Sequence, residues 1–146
     1  MSDGQIESHE AIRRLIALYC QLCDDGRFEE WAELFTEDAT FTVMGGTHTG
    51  RPALREFMLA AQPPEARGKH ATFEPVIEVS GDQARAWTDY LFVGRVGDGG
   101  RLGVTSVGRY HDHLRREHGT WRIAAREIVF MGEPTDDLPG GLFRTL

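Results

Sequence analysis

The character of the chain changes at His70, and that change constrains the fold more than any single motif. Upstream, Ile12, Leu15, Ile16, Tyr19, Leu22 and Cys23 recur at helical spacing, which predicts an amphipathic helix over residues 8–24 ended by Asp24-Asp25-Gly26. Phe28, Trp31, Leu34 and Phe35 repeat the same period through a short second helix. The β-rich run Ala39–Met44 then predicts a short strand turning at Gly45-Gly46, and residues 51–61 a third helix with Pro52 in its first turn. Downstream of His70, strand-like stretches at roughly 70–79, 84–96, 102–116 and 120–130 are separated by Ser80-Gly81-Asp82, Gly97-Asp98-Gly99-Gly100 and Glu117-His118-Gly119. Helices first and a strand meander afterwards indicate an α+β fold with a mainly antiparallel sheet covered by helices on one face. Gly94, Gly103 and Gly108 within unusually long strands predict strong curvature or bulges. A curved sheet wrapped around helices makes a cone with one pocket.

Length and charge narrow the functions. At 146 residues the chain suits one domain, taken as residues 1–133, with a loop-like tail at 134–146 whose Leu142, Phe143 and Leu146 are expected to dock on the body or a neighbour. With 23 acidic against 16 basic residues and a net charge of -7, the surface repels phosphate backbones, so nucleic acid is not an expected partner. No apolar run approaches the roughly 20 residues of a membrane span, and the N-terminus lacks signal-peptide character, so a cytoplasmic location away from the membrane is expected.

Tyr19, Asp24 and His70 supply a hydroxyl, a carboxylate and an imidazole, the parts of a general acid–base site if the strand returns over the helix. Each has a plainer reading. Asp24 sits in a common helix-ending turn, though a carboxylate facing the negative helix end needs a partner, which His70 would supply. Tyr19 continues the apolar stripe and stands about 140° round the helix from Asp24, so it is either core or a donor to substrate. The pair Cys20 and Cys23 lies inside a helical pattern rather than at a strand-to-helix junction, which favours small core or cavity residues over a redox or zinc motif. His111 and His113 share a strand face without an evident third ligand, so hairpin surface is favoured over metal. Alternation places Arg122, Ala124 and Arg126 on one face, and either Thr88, Tyr90 and Phe92 or Trp87, Asp89 and Leu91 on the inside.

The run from Tyr19 through Asp24, Phe28, Leu34-Phe35 and Asp38-Ala39-Thr40 resembles the N-terminal signature of the SnoaL-like group in the nuclear transport factor 2-like superfamily. Gly50-Arg-Pro-Ala-Leu-Arg-Glu-Phe57, His70 ahead of Val76–Ala84, and Gly119-Thr-Trp121-Arg-Ile123 extend the resemblance over roughly residues 8–130. It implies a cone-shaped α+β barrel, its strongly curved sheet wrapped around the N-terminal helices, with a cavity between. The pattern is most similar to the branch holding scytalone dehydratase, bile acid 7α-dehydratase and hexachlorocyclohexane dehydrochlorinase, whose aspartate and histidine dyad falls on Asp24 and His70. Tyr19 matches a tyrosine of the bile acid enzyme, and Arg126 an arginine of the dehydrochlorinase. Cys23, Ser106, Gly108 and Tyr110 match pocket-lining positions, the small ones leaving room for ligand. The chain departs from scytalone dehydratase in having a glycine near Gly94 for its second histidine and Cys23 for a tyrosine. Ketosteroid isomerase's aspartate aligns near Val43, which disfavours that chemistry.

The resemblance implies a cofactor-independent, metal-free lyase, dehydratase-like, or an isomerase or cyclase, acting on a small hydrophobic cyclic or polycyclic molecule. His70 would be the base, Asp24 its orienting partner, and Tyr19 or Arg126 would assist the departing oxygen. The competing reading is a noncatalytic ligand-binding or assembly module resembling the small subunit of aromatic-ring dioxygenases. Either way a homo-oligomer, trimer or dimer, is implied.

Overall fold

The computed structural model describes residues 1–134; the expected docking of the tail through Leu142, Phe143 and Leu146 lies outside the described residues. Helix α1 (Asp3–Asp24) starts earlier than its apolar period, because Ser2 and Gln5 form a reciprocal capping box. It ends where Gly26 takes φ 71° and the Arg27 N–H reaches back to the Leu22 carbonyl at 2.9 Å. Helix α2 (Phe28–Ala32) is cut short. The expected helical stretch at Leu34-Phe35 instead enters strand β1 (Phe35–Val43), which pairs in parallel with β7 (Thr120–Phe130) from Phe35 opposite Ile123. Pairing with a distant strand overrides local helical spacing there.

Strand β2 (Gly46–Thr49) makes a hairpin with β1, and α3 (Arg51–Ala61) follows with Pro52 in its first turn. Beyond a short 3₁₀ turn (Pro64–Ala66), the expected strand at 70–79 is divided into β3 (Lys69–Thr72) and β4 (Val76–Ser80), both antiparallel to β5 (Gln83–Val96). Pro75 has no N–H for the ladder, so the pairing breaks before β4. With β6 (Arg101–Glu117), the sheet order is β2-β1-β7-β6-β5-β3, antiparallel except at β1–β7 and not closed.

Curvature comes from extra residues in the long strands. Thr105 is passed over where Phe92 pairs with Ser106 and Val93 with Val104; Ala124 is passed over where His113 pairs with Ala125 and Leu114 with Ile123. The sheet curls round α1, whose Ile12, Leu15, Ile16 and Tyr19 pack in one core with Trp31, Phe35, Phe41, Leu54, Leu114 and Ile123. No described helix is long and apolar enough to cross a membrane.

Candidate active site

Asp24 is the last residue of α1 and His70 the second of β3, 46 positions apart in sequence. The carboxylate receives both donors of that histidine. Nδ1 of His70 donates to Asp24 Oδ1 at 2.6 Å, and the His70 backbone N–H donates to Oδ2 at 3.0 Å. Two charge-assisted hydrogen bonds compensate an acidic side chain at the negative end of a helix. A carboxylate oxygen accepts, so Nδ1 carries a proton, and in the neutral ring Nε2 then holds the lone pair. The pair is well shielded, with side-chain exposures of 3 % for Asp24 and 10 % for His70.

His70 forms part of the wall of a cavity of about 260 Å³ between the β1–β2 hairpin, α3 and the concave sheet. Tyr19, Tyr90, Ser106 and Tyr110 share that wall with Phe41, Phe57, Phe92, Ile128 and Phe130. Asp24 stands behind His70 rather than on the wall. Four hollows among the described residues are larger: about 770 Å³ beside the Asp38–Arg115 and Arg115–Glu117 ion pairs, about 540 Å³ beside Arg51 and Arg55, about 470 Å³ beside Phe73, Leu91 and Val107, and about 290 Å³ beside Leu18 and Trp121. None of them touches His70.

A SnoaL-like domain matches residues 4–127 of the chain. The chain belongs to the SnoaL-like family. It is similar to a Mycobacterium tuberculosis protein of unknown function, solved as an aspartate-to-asparagine variant: 34% identity over 88% of this chain and 74% of that one, TM-score 0.82. An NTF2-like protein with a cystatin-like fold from Novosphingobium aromaticivorans is 28% identical over 90% of this chain and 87% of its own, TM-score 0.78. A candidate scytalone dehydratase from the same organism is 25% identical over 94% of this chain and 93% of its own, TM-score 0.79. No curated protein matches.

Arg126 lies elsewhere than strand alternation suggests for this SnoaL-like chain. The extra residue Ala124 reverses the pleat, so Ile123 and Arg126 both face inward and Arg122 faces out. Arg126 is 1 % exposed and is not among the residues that line the cavity. Its Nε and Nη2 donate to the two carboxylate oxygens of Asp112, each at 2.7 Å. Its guanidinium carbon sits 4.0 Å from the Tyr19 ring centroid and 4.1 Å from that of Tyr110. Burial works to lower the Arg126 pKa, but the Asp112 charge and hydrogen bonds outweigh it and hold the group firmly cationic. A cation so neutralised and walled off behind two rings does not reach a leaving group.

The other expected positions divide. Tyr19, Ser106 and Tyr110 line the cavity; Cys23 is buried at 1 % exposure and does not line it. Gly108 is on the inward face, but its missing side chain makes room for protein rather than ligand: a Cβ there would meet Val129 O at 2.5 Å and Tyr90 Cε1 at 2.9 Å. Burial pushes the Tyr19 and Tyr110 phenols well above their ordinary range, with Arg126 opposing in both cases. The inward set on β5 is Thr88, Tyr90 and Phe92. Among the described residues no three His, Cys, Asp or Glu side chains are grouped to hold a metal. Asp112 and the aromatic wall went unread in the sequence, although Asp112 continues the alternation from Ser106 through Tyr110 and faces Arg126 across the β6–β7 ladder.

Proposed function

We propose that the chain is an acid–base enzyme, a dehydratase-like lyase or an isomerase, acting on a small and mostly apolar cyclic molecule held in the 260 Å³ cavity. The observation that carries this reading is the His70 imidazole, anchored through Nδ1 to a buried carboxylate and exposed on the cavity wall with Nε2 unengaged among the described residues. In an elimination, Nε2 takes a proton from the carbon beside a carbonyl, and the C–H electron pair moves into a carbon–carbon bond as the carbonyl oxygen gains enolate charge. Asp24 stabilises the imidazolium so formed. The enolate then expels hydroxide from the neighbouring carbon, the imidazolium returns the proton to it, and water leaves. If the proton returns to a different carbon of the same enolate, the outcome is isomerisation.

The wall supports an apolar substrate, and the volume, just below the ~300–1,000 Å³ usual for ligand pockets, favours one or two fused rings over a larger polycycle. A binding-only module would have no use for a base oriented in this way. Incubation with 2-tetralone in deuterated water tests the reading, since proton removal beside its carbonyl appears as deuterium incorporation by NMR. Wild-type protein should accelerate exchange above background, His70→Ala should abolish the acceleration and Asp24→Asn should reduce it. Undiminished exchange in both variants would falsify the mechanism.

A further inference from the structure

One hydroxyl borne by a cavity-lining residue has no partner among the described residues. Tyr110 is 1 % exposed, its side chain lines the cavity, and its Oη makes no hydrogen bond. The neighbouring hydroxyls do not share that condition: Tyr90 Oη and Ser106 Oγ bond each other at 2.8 Å. A buried phenol normally finds a partner, and leaving one unmatched destabilises a fold. Such a group is retained where something outside the chain completes it.

The surroundings of Tyr110 hold it for that purpose. Its ring is stacked on Tyr90 with centroids 4.5 Å apart and planes within 9°, and the ring of Tyr19 meets it edge-on at 5.6 Å. Arg126 lies over the same ring at 4.1 Å, so the phenol is fixed in direction before any ligand arrives. A guanidinium over an aromatic face also withdraws electron density, which strengthens the O–H as a donor.

We propose that Tyr110 is a second catalytic residue, the donor that holds the substrate's carbonyl oxygen and stabilises its enolate charge. The inference rests on the reading of this cavity as the substrate site. During proton removal by His70 the Tyr110 O–H bond stays intact, and its hydrogen bond shortens as charge grows on the oxygen. The substrate class follows from the same geometry. Arg126 is paired with Asp112 through Nε and Nη2 and lies behind tyrosine rings with Nη1 unpartnered, and among the described residues the wall itself carries a neutral donor and no arginine or lysine. An uncharged ketone or enone fits; a carboxylate of similar size does not.

Three readings on one protein test this. Tyr110→Phe should weaken 2-tetralone binding on the order of tenfold while leaving tetralin, which lacks the oxygen, within about twofold, as loss of one buried hydrogen bond requires. Infrared difference spectra should show the carbonyl stretch of bound 2-tetralone lowered in wild type and relaxed in Tyr110→Phe. Without ligand, Tyr110→Phe should melt at the wild-type temperature or above it, because it removes an unmatched polar group rather than a structural bond. His70→Ala should lose deuterium exchange yet keep the lowered stretch, so failure of the base and failure of the donor are told apart. The proposal is overturned if Tyr110→Phe weakens both probes equally, if it lowers the melting temperature, or if 2-naphthoate binds wild type more tightly than 2-tetralone. A carbonyl stretch in wild type at its position in a nonpolar solvent, or no binding of 2-tetralone at all, overturns it without recourse to the variant.

Discussion

Two buried carboxylate pairs stand close together around Tyr19, and only one of them leaves a titratable nitrogen at the cavity. In both, an aspartate meets a nitrogenous side chain on another element, at 2.6 Å for Asp24 and His70 and at 2.7 Å for Asp112 and Arg126. Asp112 and Arg126 expose none of their side chains, are joined by two parallel hydrogen bonds, and include a group that keeps its proton at any relevant pH. Asp24 engages one ring nitrogen and a backbone N–H, leaving the second nitrogen of a titratable ring at the cavity. Buried charge alone therefore does not mark the chemistry. In the proposed mechanism a free lone pair on the wall does.

Breaking the closed pair should give the largest effect on stability. Arg126→Met or Asp112→Ala leaves an uncompensated charge in the core, a loss of about 3–5 kcal/mol, whereas replacing both partners with apolar residues should recover most of it. Urea unfolding midpoints of the singles and the double decide the matter, and equal losses for singles and double would mean the pair is not a unit. The open pair should respond in the opposite sense. His70→Ala is expected to lower exchange at the substrate carbon on the order of 10²–10⁴-fold with a stability loss of about 1.5–3 kcal/mol, since the backbone N–H bond to Asp24 remains, a split seen by assaying both quantities on one preparation. Asp24→Asn should also remove the strongly hydrogen-bonded Nδ1–H resonance from the imidazole NMR spectrum. Between the two pairs, Gly108→Ala drives a methyl into the Val129 carbonyl and the Tyr90 ring, and calorimetry should show a loss of about 1–3 kcal/mol.

How far each pair could be read from the chain follows from where its information lies. The α1 stripe from Ile12 to Cys23 is local, so the helix was legible; its true start was also written in Ser2-x-x-Gln5 and passed unread beside the stronger apolar period. The strand limits from residue 83 onward were legible from their turn residues. Asp24 and His70 are 46 residues apart, so their side-chain chemistry made them candidates but only resemblance to a family paired them with any force. Arg126 was assigned to the wrong set of neighbours because a single extra residue, Ala124, inverts the alternation, and nothing about an alanine announces a bulge. The same inversion hid Asp112, whose meaning depends on the residue opposite it. Cavity walls built from Phe41, Phe57, Phe92 and Phe130 come from four separate elements, and their convergence is a property of sheet curvature rather than of any segment.

The smallest expected effect concerns the thiols that lie among these pairs. Cys20 and Cys23 are 6 % and 1 % exposed, and burial, the dominant cause for both, pushes each thiol from an ordinary 9.0 up to about 12; nearby Asp24 pushes the same way and Arg126 opposes. A thiol whose pKa is higher folded than unfolded keeps its proton in the native state after the unfolded chain has lost it. The stability it contributes is then complete below about pH 9 and declines as pH climbs from there toward 12. Urea midpoints of wild-type protein should consequently fall above pH 9 more steeply than those of a Cys20→Ala/Cys23→Ala variant, with the two curves parallel at lower pH. At pH 8 the native thiols should also resist a disulfide reagent until urea opens the core, because the nucleophile is the thiolate that burial suppresses. Curves that stay parallel through pH 11, or rapid thiol modification of the folded protein, would show that the region beneath Tyr19 admits water. The closed pair would then no longer be closed, and the contrast with His70 and Asp24 would lose its physical basis.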